Sequence, residues 1–123
     1  MKYIKLTFLA FFGLILSASA QQKTTGKAVI KTPGIQCEMC KARIERYLMR
    51  EDGVTAVKVD VKKKVTAVNW ITDRTNIENI KAAIATVGYD ADDVTAEESS
   101  YKKLPACCKK PADTTAPKPS VQQ

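Results

Sequence analysis

Along the middle of this chain, alternating and helically spaced apolar residues take turns. Ala28, Ile30 and Thr32 alternate with Lys27, Val29 and Lys31, the two-residue period of a first strand. Pro33-Gly34 ends it. From about Cys37 to Arg50 the period lengthens. Cys40, Ile44, Tyr47 and Leu48 share one face of a helix, and Lys41, Arg43, Arg46 and Arg50 fall off it. Asp52-Gly53 is the stop and turn. Val54 to Val61 predicts a second strand, with Val57, Val59 and Val61 on one face. Lys62-Lys63-Lys64 is a hairpin turn, and Val65 to Trp70 a third strand whose inward residues are Thr66, Val68 and Trp70. A second helix starts near Thr75, where Glu78 three residues on makes a capping box. Its apolar stripe is Ile77, Ile80, Ile84 and Val87, and Gly88 ends it. Ala91 to Ala96 predicts a short last strand. The order is strand, helix, strand, strand, helix, strand. It specifies an α+β, ferredoxin-like βαββαβ arrangement: a four-stranded antiparallel sheet with two helices on one face.

The flanks have other patterns. Lys2 and Lys5, the apolar run Leu6 to Leu16 and the small residues Ala18-Ser19-Ala20 have the anatomy of a secretory signal peptide. The run is shorter than the roughly 20 residues that span a bilayer. Residues 1–20 are therefore expected to be cleaved after Ala20, leaving a periplasmic or secreted protein that does not insert in the membrane. Residues 21–26 are polar and expected to be a disordered leader. The domain is placed at 27–98, and 99–123 is expected to be a Pro/Lys-rich tail without a core. Removing Lys2 and Lys5 lowers the formal net charge from +7 to +5. In an exported protein that excess points to an acidic partner surface rather than to nucleic acid.

The chemistry centres on Cys37 and Cys40, three positions apart at a helix start. Three readings of the spacing stand side by side: a structural disulfide, a thiol-disulfide redox pair, and a metal site. The surroundings lack the rest of a thioredoxin-like unit. The positive end of a helix favours thiolate, and thiolate sulfur selects soft ions. The chain has no histidine. Cys107 and Cys108 are distant in sequence, so a four-ligand zinc site is the weaker expectation.

Gly34-Ile35-Gln36-Cys37-Glu38-Met39-Cys40 resembles the Gly-Met-x-Cys-x-x-Cys motif of heavy-metal-associated domains. That family includes copper chaperones, mercury-scavenging periplasmic proteins and the N-terminal repeats of metal-pumping ATPases. Asp52-Gly53-Val54 resembles the turn before the family's second strand, and Gly88-Tyr89-Asp90-Ala91 its closing loop. The resemblance implies that Cys37 and Cys40 are the metal ligands and that no substrate bond is made or broken, so the protein is not an enzyme. Ile35 stands where the family has Met, as apolar filler beneath the loop. Gln36 stands where zinc-handling members carry Asp. This favours Cu(I), then Hg(II), with Ag(I) or Zn(II) as further candidates. Glu38 adds a carboxylate beside the thiols, Met39 a thioether, and Tyr89 falls where the family places an aromatic or lysine near the ion. The implied partner is a metal-transporting or metal-accepting protein with an acidic docking face. Lys41, Arg43 and Arg46 are expected to steer it.

Cys107 and Cys108 form a second pair. Adjacent Cα atoms lie about 3.8 Å apart, closer than the roughly 4.4–6.8 Å that disulfides prefer. A bond between them is disfavoured. The last strand is expected to run away from the metal loop, starting the tail at the far pole. The residues from Ala96 to Cys107 can nevertheless span a small domain at ~3.3–3.6 Å each. A folded-back tail would bring these thiols to Cys37 and Cys40.

Overall fold

The structure is a computed structural model, and it describes residues 24–111. Strand β1 spans Thr25–Lys31, helix α1 Glu38–Leu48, β2 Val54–Asp60, β3 Val65–Ile71, α2 Ile77–Val87 and a short α3 Glu98–Lys102. A 3-10 turn comes next, at Ala106–Cys108. The expected signal segment 1–20 and the end of the tail lie outside the described residues. No helix among the described residues is long and apolar enough to cross a membrane.

The three strands form one antiparallel sheet in the order β1-β3-β2. The central strand aims Thr66, Val68 and Trp70 inward, as the sequence predicts, and all three are buried. Ile30, Val59 and Val68 meet Ile44 and Leu48 of α1 and Ile80 and Ile84 of α2 in one core. The exposed Val29 lies on the other face of the sheet. Two polar devices close this core. The Thr32 and Thr66 hydroxyls share a buried hydrogen bond of 3.0 Å. The Glu45 carboxylate accepts the Val59 N–H at 2.9 Å, so a helix side chain satisfies a backbone donor of an edge strand.

The leader expectation is corrected at its end. Thr25 and Gly26 already pair with Ile71 and Trp70. Gly26 is required there because a Cβ would collide with the Trp70 indole. The start of α2 also shifts. Asn76, not Thr75, is the N-cap, and its side-chain oxygen accepts the Asn79 N–H at 2.9 Å. Gly88 ends the helix as expected, at φ 110° in the left-handed region.

The expected fourth strand is a correction: among the described residues the sheet has three. Residues 91–96 turn on themselves instead. Ala91 and Val94 bond each other, Asp92 takes φ 51°, and the Asp90 carboxylate accepts the Ala96 N–H at 2.8 Å. These bonds use groups that a strand would present to β1. One attachment to β1 remains: Asp92 N–H donates to the Lys31 carbonyl, and Lys31 N–H to the Asp92 carboxylate.

This turn redirects the C-terminal part of the chain. The Glu97 N–H donates to the Ala85 carbonyl at 2.9 Å, so the chain leaves beside the C-terminal end of α2, not from a far pole. Residues 99–111 are not a tail without a core. Leu104 and Cys108 are buried in the domain's own core cluster. Burying a leucine contributes about 1.5–3 kcal/mol. Beyond Cys108, the Lys110 ammonium pairs with Asp90 at 2.9 Å, and the Lys110 N–H donates to the Tyr101 hydroxyl at 2.9 Å.

Asp90 therefore holds both the closing turn and the C-terminal segment. The Ala96 N–H, and then the Lys110 ammonium, hold its carboxyl below the usual carboxylate range. A depressed folded pKa gives stability that is complete above the unfolded value near ~3.9 and is lost as pH falls through the folded value. Asp90→Asn, which resembles the protonated acid, is predicted to cost roughly 1 kcal/mol at pH 7. Urea unfolding should show the gap to the unsubstituted protein closing below about pH 4. A gap unchanged down to about pH 2 would contradict this assignment.

Candidate metal centre

The loop between β1 and α1 is held from below. Ile35 is fully buried, and its N–H bonds back to the Thr32 carbonyl at 3.2 Å. Ile35 is therefore the apolar filler expected of it. Above it Cys37 takes the N-cap position of α1, with extended backbone. Its carbonyl accepts the Cys40 N–H at 3.1 Å and the Lys41 N–H at 3.3 Å. Its side chain makes no cap hydrogen bond, which leaves the sulfur at the helix start. Cys40, one turn on, belongs to the buried stripe of α1 with Ile44 and Leu48. The helix thus sets one thiol half-buried at its start and one in the core, with Sγ atoms 3.5 Å apart.

The C-terminal segment completes the cluster. Cys107 Sγ lies 3.4 Å and Cys108 Sγ 3.9 Å from Cys37 Sγ. The sulfurs of Cys37, Cys40 and Cys108 all lie within 4.8 Å of one another. Cys107 and Cys108 are 3.9 Å apart through their sulfurs. All four cysteines of the chain are free thiols at one pole. The objection to zinc from too few nearby ligands therefore does not hold. Cys107 is exposed and Cys108 buried. Met39 is half exposed, and its Sδ lies 4.0 Å from Cys107 Sγ. Glu38 is engaged elsewhere, in a loose 3.8 Å ion pair with Lys41.

Tyr89 closes the floor of the site. It is 1% exposed, and its hydroxyl is buried without a hydrogen-bond partner. The groups beside it are the Cys40 and Cys108 thiols. Neutral thiols are weak acceptors. Burial, and then these thiols, push the tyrosine's pKa far up, so the hydroxyl stays protonated. Burial also pushes the Cys108 thiol well above its ordinary value, with Cys40 adding to the effect. The site offers thiols for a soft ion, with a neutral O–H donor against the sulfurs that would carry charge.

The sequence picks out Cys37, Cys40 and Tyr89, and all three meet. It also raises the fold-back of Cys107 and Cys108, which the structure shows. It misses Leu104 as the anchor of that segment. The available signal is a lone leucine in an otherwise polar run, three residues before a Cys pair.

The fold agrees with known proteins. The model of the heavy-metal-associated domain family matches residues 29–90, and the chain belongs to that family. Over 62 residues it is 36% identical to the copper chaperone CopZ of Staphylococcus haemolyticus, covering 50% of this chain and 91% of that one. It is 33% identical over 73 residues to a copper-exporting P-type ATPase of Staphylococcus saprophyticus, covering 58% of this chain and 9% of that protein. A solved CopZ metallochaperone superposes with a TM-score of 0.52 at 27% identity, over 54% of this chain and 98% of that one. Cys107 and Cys108 lie outside the segment that the family model matches.

A buried hydroxyl without a partner is costly. Tyr89→Phe is predicted to stabilise the metal-free, reduced protein by roughly 1 kcal/mol. Thermal or urea unfolding under reducing conditions reads this directly. A loss of stability above that size would mean that the hydroxyl already has a partner in the metal-free protein.

Proposed function

We propose that this chain is an exported metal carrier. It takes up one Cu(I) through Cys37 and Cys40 and passes it on by thiolate exchange. The observation that carries the reading is the 3.5 Å approach of the two sulfurs across the first turn of α1, in a chain whose relatives include copper chaperones. Soft thiolate selects a monovalent coinage metal over hard cations, with Hg(II) the next candidate. A low coordination number leaves room for an incoming thiolate, so the ion can transfer through an intermediate shared between donor and acceptor. Cys37 is the half-buried member of the pair and is the sulfur that an acceptor reaches first. No bond within a substrate is made or broken. Export is carried by the pattern of residues 1–20, and the mass of the exported protein reads cleavage after Ala20.

The acceptor we infer is a metal-transporting protein, since copper-exporting ATPases are among the relatives. A groove of about 460 Å³ beside the site has Arg43, Arg46, Arg50 and Lys103 among its lining residues, with Met39 and Tyr47 as apolar contacts. This extends the basic flank expected from Arg43 and Arg46. Lys41 is partly taken up by its pair with Glu38. An acidic acceptor domain fits this groove. Its association rate should fall as salt rises, and a salt-independent stopped-flow rate would count against the docking face.

The central test is anaerobic competition of the reduced chain against a Cu(I) chelator. One equivalent of Cu(I) should bind tightly. Affinity should fall as pH is lowered because the thiols must lose their protons. The Cys37→Ser, Cys40→Ser double variant should lose tight binding. Unchanged affinity in that variant would refute the assignment.

A further inference from the structure

We propose that the C-terminal segment supplies a third sulfur ligand, Cys108. The carrier site is then a three-thiolate site closed by its own tail, with Cys107 as a rim thiol poised to exchange. The proposal rests on the Cu(I) reading above and goes beyond the two-cysteine motif.

The sulfurs are spaced for more than a linear pair. With metal–sulfur bonds of about 2.3 Å, sulfurs stand ~4.6 Å apart across a linear ion and ~4.0 Å apart around a trigonal one. Cys37 lies 3.5 Å from Cys40 and 3.9 Å from Cys108. Both separations are short for a linear pair, and the third edge, Cys40 to Cys108, is within 4.8 Å, so the three sulfurs can close around one ion. Cys108 also occupies a built position. Its side chain is 1% exposed and belongs to the core cluster with Cys40 and Tyr89. It is pinned on both sides, by buried Leu104 before it and by the Lys110–Asp90 pair after it. Tyr89 adds a donor to the same place. The buried Tyr89 hydroxyl has no hydrogen-bond partner, and Tyr89 shares the core cluster with Cys40 and Cys108. A thiolate at Cys108, created when an ion replaces its proton, gives that donor a charged acceptor.

The chemistry balances simply. Each coordinating thiol releases one proton to solvent as the sulfur binds the ion, and no electron is transferred. Cys107 differs from its neighbour. It is exposed, 3.4 Å from Cys37 and within 4.0 Å of the Met39 thioether. It stands where an acceptor's thiolate would arrive. Release to an acceptor then requires Cys108 to give up its place, so the tail acts as a retaining clasp.

The test uses the reduced full chain with one equivalent of Cu(I), and X-ray absorption to count sulfur neighbours. The unsubstituted protein should show three sulfurs. Cys108→Ser should show two, with affinity in chelator competition lower by about tenfold or more, equivalent to ~1.4 kcal/mol. Cys107→Ser should keep three. Two sulfurs in the unsubstituted protein would overturn the proposal without recourse to any variant, as would a Cys108→Ser protein with unchanged affinity. Either result with tight binding intact leaves the Cys37–Cys40 reading standing. Absence of tight Cu(I) binding to the unsubstituted protein overturns both.

Discussion

The burial of Cys108 against Cys40 and Tyr89 is the contact on which the site depends. It is made by a segment outside the family's matched residues, and it converts a two-thiol motif into a meeting of all the chain's cysteines. Nothing in the 3-10 turn alone would hold it. The turn is three residues long and carries no side-chain cap. What holds it is Leu104 in the core and the Lys110–Asp90 ion pair. Asp90 is also the residue whose carboxylate folds 91–96 into a turn. One side chain thereby replaces the expected strand with a turn and fastens the tail beside the thiols.

The sheet, both long helices and the motif loop are legible in the sequence because each rests on local periodicity or punctuation. Thr66, Val68 and Trp70 alternate inward, Ile80 and Ile84 keep the helical period, and Gly88 takes the left-handed turn that ends α2. Three features are not legible in that way. Asn76 and Thr75 both satisfy the N-cap pattern, and only the Asn79 N–H bond decides between them. Ala91 to Ala96 has enough alternation for a strand, but the Asp90 carboxylate takes the Ala96 N–H and the Asp92 carboxylate takes the Lys31 N–H of β1. Thr25 and Gly26 look like a polar leader until the Trp70 indole is seen lying against Gly26.

The tail shows how one such error propagates. A last strand running away from the metal loop would start the tail at the opposite pole. Because residues 91–96 turn instead, residue 97 already sits beside Ala85, and the thiols have little distance to cover. The chain's reach permits the fold-back from either pole, but the actual starting point makes it short. The same correction changes the set of donors: a motif of two thiols is joined by two more sulfurs, one of them buried. On the proposed reading, that set would hold its ion more firmly than two thiols alone.

The most direct measurement is the nuclear magnetic resonance spectrum of the reduced, metal-free chain. Nuclear Overhauser contacts are expected from the Cys108 β-protons to the Tyr89 ring, with slowed amide exchange at Leu104 and Cys108. Random-coil shifts and unprotected amides from residue 98 onward would contradict it.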